Sequence, residues 1–406
     1  MGQEQTQAYN APKNKINISL ALLILTFFLI WSYWLSQQYV EYHFGFIAII
    51  GALFGLVLQR SRFCFYCIFT DYFAHKDSRG ILGILLALLI GTLGYHAVFG
   101  AFLPVLDGRQ LPPDAHIGVV SWILPLSALS FGFGMALSGS CISAQLYRLG
   151  EGLLTAPIAL IGVAIGFALG FLSWNSLYLS FMQKAQPLWL PNLVGYAGSV
   201  LIQVIVIGGL LVFFLYLENK RRIHTQNDHD TPHQDDEPSL WQAIFQQRWP
   251  TWVGGIFIGL IATIAYFRVG ALGVTAEIGS ISRTFLDQVV GGVSRLEGLD
   301  RLTGCITVIK QTLLSNNGVF VLSLILGSLI SALSAGQLRW QGNTLKGILR
   351  IFCGGVLMGW GAMISLGCTV GMLLSGIMAG ALSGWVFAVF CLFGAWIGWY
   401  LRQKWT

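Results

Sequence analysis

Stretches of about twenty apolar residues recur along the whole chain, separated by short polar breaks. The first runs from Ile16 to Leu35 behind Lys13 and Lys15; others occupy about 44–60, 79–104, 118–138, 153–173, 194–217, 251–267, 317–335, 346–366 and 384–402. A helix of that length crosses the hydrocarbon core of a bilayer, so the pattern predicts an all-α polytopic membrane protein with about nine or ten spanning helices. Residues 16–35 exceed a signal-peptide core, and Ser36-Gln37-Gln38 is no small-residue cleavage site. This helix is therefore expected to be retained.

Between the long runs lie pieces too short to cross and too apolar for ordinary loops: Phe63–Phe73, Cys141–Leu149, Ala271–Leu286, Gly304–Leu314 and Cys368–Met378. Backbone at membrane depth is tolerated only where protein or a polar cavity receives its polar groups. These pieces are expected to be re-entrant half-helices. One long hydrophilic segment, Glu218–Trp249, carries Lys220-Arg221-Arg222 directly behind a span, which places it on the cytoplasmic side. Its His224, His229 and His233 stand among Asp228, Asp230, Asp235 and Asp236 and read as a solvated linker rather than a metal site. The chain thus divides into a disordered N-terminus (1–15), an additional spanning helix (16–43), a first half (44–217), the linker (218–249) and a second half (250–406).

Composition narrows the class. Of 406 residues, 55% are hydrophobic and 10% charged, where soluble domains carry about 25% charged residues. A soluble enzyme, a nucleic-acid binder and a secreted disulfide scaffold are excluded. The seven cysteines mostly lie inside apolar segments, and their odd number forbids complete internal pairing. Forty-nine glycines let helices approach closely and let backbone break inside a bundle.

The halves on either side of the linker share a motif. Gly132-Phe-Gly-Met-Ala-Leu-Ser-Gly-Ser-Cys141 aligns without gaps to Gly359-Trp-Gly-Ala-Met-Ile-Ser-Leu-Gly-Cys368. Each ends a Gly-rich helix and leads into a short apolar piece, then another span. Paired interruptions in the two halves of a membrane protein point to a substrate site at the repeat interface. A cysteine at the start of a half-helix sits at the positive dipole end, where N–H groups attract an anion. Sulfur is large, polarizable and a weak donor, which suits a permeant that must bind and then leave. Thiols at Cys141 and Cys368 therefore favour a soft, sulfur-bearing anion over phosphate, with Gly139, Ser140, Gly367 and Thr369 supplying backbone or hydroxyl donors. Cys353 and Cys391, mid-span with no break nearby, read as buried packing residues.

Arg60-Ser61-Arg62-Phe63-Cys64, with Asp71 beyond it, borders another short piece, and Arg148-Leu149-Gly150-Glu151-Gly152 follows Cys141. These arginines either concentrate anions at an entrance or form ordinary pairs, Arg62–Asp71 and Arg148–Glu151. The residues leave both readings open. Cys64-Phe65-Tyr66-Cys67 has redox spacing and admits a second class, a membrane thiol–disulfide oxidoreductase passing electrons to a quinone. The outer loops expected at 105–117 and 174–193 lack the second cysteine pair such an enzyme needs. Cys67 and Cys305, the latter behind Gly304 at a break without a counterpart in the first half, are second-tier candidates. No G-x-x-x-x-G-K-[ST] occurs, so nothing supports direct ATP drive. No cofactor or metal is expected, and Glu277 leaves ion coupling open.

The segments Leu53–Asp71, Phe131–Gly152, Gly255–Ala262 and Gly354–Cys368 together resemble the YeeE/YedE family of membrane transporters, linked to uptake of thiosulfate and related sulfur compounds. The likeness covers about 44–402, and even Arg248-Trp249 ahead of a span fits it. It implies an inner-membrane protein, not an enzyme, with two pseudo-symmetric halves and cysteines lining a narrow passage. The family's motif cysteines fall on Cys64, Cys141 and Cys368. The implied function is import of thiosulfate, with the bilayer and this small anion as partners and a cytoplasmic sulfur carrier or sulfurtransferase as the receiver. Transport of a selenium compound is the neighbouring alternative. Where the family pattern often has Gly-Gly-Cys, this chain has Gly-Ser-Cys141 and Leu-Gly-Cys368; helix 16–35, Cys67 and Cys305 lie outside that pattern.

Overall fold

The computed structural model describes residues 15–38, 43–105, 110–226, 247–291, 295–299, 302, 304–310, 314–338 and 342–405. Ten helices among them are long and apolar enough to cross a membrane. The chain is an all-α polytopic membrane protein. His229, His233 and the aspartates around them lie outside the described residues, as does the segment 1–14.

Helix α1 (Lys15–Gln38) precedes α2 (Phe44–Ser61), α3 (Phe65–His75), α4 (Arg79–Phe102), α5 (Ile123–Ser138), α6 (Ile142–Gly150) and α7 (Thr155–Leu177). The long α8 (Leu190–Gln226), kinked at Gly195, leads to the linker. Beyond it come α9 (Thr251–Arg268), α10 (Thr275–Val289), α11 (Asn316–Ser334), α12 (Leu345–Ile364), the π-wound α13 (Thr369–Gly376) and α14 (Leu382–Trp405). From α2 to α7 the order is span, short helix, span, span, short helix, span, and α9 to α14 repeat it. Packing is reciprocal too: α2 lies on α11 as α9 lies on α4, and α7 lies on α12 as α14 lies on α5. Counting crossings, α2 and α9 start on opposite faces, so the two sets are inverted.

Glycine makes the reciprocal crossings close. A Cβ on Gly132 would stand 2.0 Å from the Cys391 carbonyl oxygen in α14, and one on its repeat partner Gly359 would stand 2.1 Å from the Val163 oxygen in α7. Backbones therefore touch where the motif placed its first glycines. Gly132→Val is expected to destabilise by about 1–3 kcal/mol through overpacking, read as a lower melting temperature in detergent. Gly208→Val, at a position with nothing within 4 Å, is the tolerated control.

The outer helices present apolar side chains to lipid: Leu23, Phe27 and Ile30 on α1, and Leu201, Val212 and Phe213 on α8. Where α8 runs out toward the linker, Glu218 accepts from the Ser78 N–H at 3.2 Å and from Arg221 at 2.9 Å. Burial alone would raise the neighbouring Asp77 carboxyl, but the Arg79 N–H and guanidinium, with Arg221, hold it below its ordinary range.

Three expectations change. Residues 304–310 are non-helical rather than a half-helix, because the polar face of α10 takes their backbone groups. Arg283 donates to the Thr307 carbonyl at 2.6 Å, while Ser280 and Thr284 accept from the Val308 and Lys310 N–H groups. Cys353 is exposed, not packed: α12 turns Gly354 and Gly355 inward against α5 and α7, which leaves the preceding residue facing out. The span expected from 118 begins at Ile123, and the loop before it dives inward, with His116 and Ile117 almost completely buried.

Candidate functional site

The two repeat breaks are built alike. Ser138 Oγ donates to the Ser140 carbonyl at 2.9 Å, and Ser365 Oγ, its repeat partner, donates to the Gly367 carbonyl at 3.0 Å. The residue after each serine is left-handed, Gly139 at φ 81° and Leu366 at φ 56°. Glycine takes that turn freely, whereas leucine pays about 1–2 kcal/mol. Extended backbone then brings Cys141 to the start of α6 and Cys368 to the start of α13. A third break follows α2, where Arg62 is left-handed and Cys64 caps α3.

Cysteines stand at the helix starts. Cys141, whose side chain makes no capping hydrogen bond, begins α6 close to Cys64, the cap of α3. Ser143 Oγ is 3.2 Å from Cys141 Sγ. On the other side Cys368, likewise without a capping hydrogen bond, begins α13, and the Thr275 hydroxyl at the start of α10 is buried near Cys368 and Cys305 without a hydrogen-bond partner among the described residues. His116 Nε2 is 3.1 Å from Cys305 Sγ. Burial lowers the His116 imidazole to about 4, so it is neutral at pH 7. The helices α6 and α13 touch, which makes these two groups of thiols neighbours across the repeat interface. Cys64, Cys141 and Cys368 are fully buried.

Charged side chains lie at the rim next to the linker. Arg62 Nη1 meets Glu151 at 3.3 Å, and Gln59 donates to the other Glu151 oxygen at 3.1 Å. Arg148 Nη2 donates to Cys67 Sγ at 3.3 Å. Thus neither expected pair forms: Arg62 takes Glu151 instead of Asp71, and Arg148 takes a thiol. Ser140 Oγ and Thr369 Oγ1 are buried without a hydrogen-bond partner among the described residues. Gly367 has no spare space, since a Cβ there would come within 2.5 Å of Met372. Thr275, His116 and Gln59 escaped the sequence reading. Thr275 opens α10, the short helix after α9, but nothing in the sequence marks it; His116 sits in a Pro-rich polar loop that gives no sign of burial.

Against known families, residues 60–397 match the model described as sulphur transport. The chain belongs to the sulphur transport family. Within that family it is similar to the thiosulfate transporter TsuA of Escherichia coli (strain K12), 28% identical over 86% of this chain and 91% of the relative. It is equally similar to the thiosulfate transporter TsuA of Spirochaeta thermophila, at 28% over 88% of this chain and 98% of that one. The probable transporter YedE of E. coli is 30% identical over 43% of this chain and 41% of its own length. The family match takes in every break cysteine, and the additional helix α1 stands ahead of it.

Proposed function

We propose that this transporter imports thiosulfate, or a closely related sulfur-bearing anion, across the inner membrane past the thiols of Cys64, Cys141 and Cys368. The observation that supports the reading is three buried cysteines placed at the starts of short helices: Cys64 at α3, Cys141 at α6 and Cys368 at α13. Such ends offer partial positive charge without a fixed cation, so an anion binds and still leaves. Thiol S–H groups add short-lived contacts to the terminal sulfur or oxygen, and no covalent step is needed. The open hydroxyls of Ser140 and Thr369 are the next donors. The relatives named as thiosulfate transporters support the same cargo. By the positive-inside rule the linker and the Arg62–Glu151 rim face the cytoplasm, so cargo arrives past Cys368 and leaves past Cys64. A cytoplasmic sulfur carrier or sulfurtransferase is the fitting receiver.

The test is uptake of sulfur-labelled thiosulfate by cells lacking their own sulfate and thiosulfate importers. Saturable uptake that excess sulfate does not compete is expected. Verified membrane insertion without uptake would turn the assignment to a selenium compound or another reduced-sulfur anion.

A further inference from the structure

We infer that Cys67 is a modification site for small organic disulfides, and that its subsequent bond to Cys64 locks the pathway shut. The inference rests on the thiol pathway proposed above. Cys64 Sγ accepts from the Cys67 thiol at 2.8 Å, and Cys141 is the other cysteine near it. The Cys67 N–H also donates to Cys64 Sγ, at 3.4 Å. Cys67 stands in the first turn of α3, one helical turn from Cys64, beside the pathway rather than on it. It is half-buried where Cys64 is fully buried, so a reagent meets Cys67 first. The Arg148 guanidinium donates to its sulfur at 3.3 Å. An arginine beside a partly exposed thiol is the electropositive setting that reactive cysteines occupy. No carboxylate among the described residues lies within ion-pair distance of Arg148, whereas Arg62 nearby has Glu151.

The chemistry is thiol–disulfide exchange with a disulfide R–S–S–R as oxidant. The Cys67 thiolate attacks one sulfur, the S–S bond breaks, and R–S⁻ leaves with the electron pair while Cys67–S–S–R forms. The Cys64 thiolate then displaces the second R–S⁻ and the Cys64–Cys67 disulfide forms. Two cysteine thiols have lost two electrons, the reagent has become two thiols, and the two cysteine protons end on them. The sulfurs need only close from 2.8 Å to about 2.05 Å. Bonded this way, Cys64 no longer carries an S–H toward Cys141, and the row of thiols is interrupted at its linker end. A dithiol reverses the exchange.

The experiment uses the full chain in proteoliposomes, with dipyridyl disulfide added to the face bearing the linker. Import of labelled thiosulfate is expected to fall to background, and mass spectrometry of the peptide carrying both cysteines shows the loss of two hydrogens. Dithiothreitol restores both. Cys67→Ser is expected to import and to ignore the reagent, while Cys64→Ala accumulates the mixed disulfide at Cys67. Bonded protein that still imports overturns the lock, and so does an unmodified Cys67 in a sample whose exposed Cys353 has reacted. If Cys67→Ser does not assemble, the reversible loss of import and of two hydrogens in the unaltered protein decides alone. The mass readout needs no substrate. Reduced protein that forms the bond on treatment but never imports thiosulfate refutes the assigned cargo and, with it, the closure, while leaving Cys67 as the modification site.

Discussion

Cys141→Ala is expected to lower thiosulfate import by roughly 10–100-fold while the protein still reaches the membrane, with Cys368→Ala behaving alike. The size follows from losing one hydrogen-bonding contact to a charged cargo, worth about 1.5–3 kcal/mol. Cys141 stands at the start of α6 beside Cys64, the cap of α3, so no neighbour replaces its sulfur. Alanine removes little volume and keeps the backbone turn that Ser138 and Gly139 define, which is why insertion should survive. Cys141→Ser, retaining a donor, is expected to keep part of the activity. Cys353→Ala, on a face exposed to lipid, should import normally. Ordinary uptake by both alanine variants would remove the thiols from the mechanism and leave only the helix ends.

Glu151→Ala should lower stability by about 1–3 kcal/mol, because it leaves Gln59 without one acceptor and the half-buried Arg62 without its partner. Glu151 is 2% exposed and receives both Arg62 and Gln59. Gln59 in turn donates to Gln337 at 2.9 Å and accepts from Ser331 Oγ at 2.7 Å. One carboxylate thus joins the end of α6 to α2 and, through Gln59, to the end of α11. Arg62 is also the left-handed residue that turns the chain into Cys64, so import should fall with stability. Thermal unfolding in detergent checks the first effect and uptake the second. Adding Arg62→Ala to Glu151→Ala is expected to recover part of the loss, since the orphaned charge goes too. Additive losses would mean that the pair contributes independently.

The spans were legible because burial in lipid demands twenty-residue apolar runs, and the breaks because a glycine-rich helix ending in serine, two residues and cysteine was written twice. Ser138 and Ser365 even make the same hydrogen bond, a detail the gapless alignment contains. What stayed hidden was tertiary. Residues 304–310 are as apolar as a half-helix, yet hydroxyls and an arginine on α10 take their backbone groups and they are non-helical. Arg62 and Arg148 each had a carboxylate close in sequence, and the fold gave one of them a distant glutamate and the other a sulfur. Thr275 opens the short helix of the second half that corresponds to the one Cys64 caps in the first, and no residue identity betrays it. The family match spans the break segments that the repeat exposed.

Helix ends are stationary dipoles, and this has an electrical meaning. A group of N–H donors neutralises nothing that travels, so an anion passing the breaks keeps its full charge through the membrane field. Thiosulfate is a dianion at neutral pH. Moving it alone into an interior held 100 mV negative costs about 4.6 kcal/mol. Inflow without an accompanying cation then continues only while the interior concentration stays roughly two-thousandfold below that outside. Consumption of the cargo, or a cation carried with it, sets how far the membrane voltage lets this passage fill the cell.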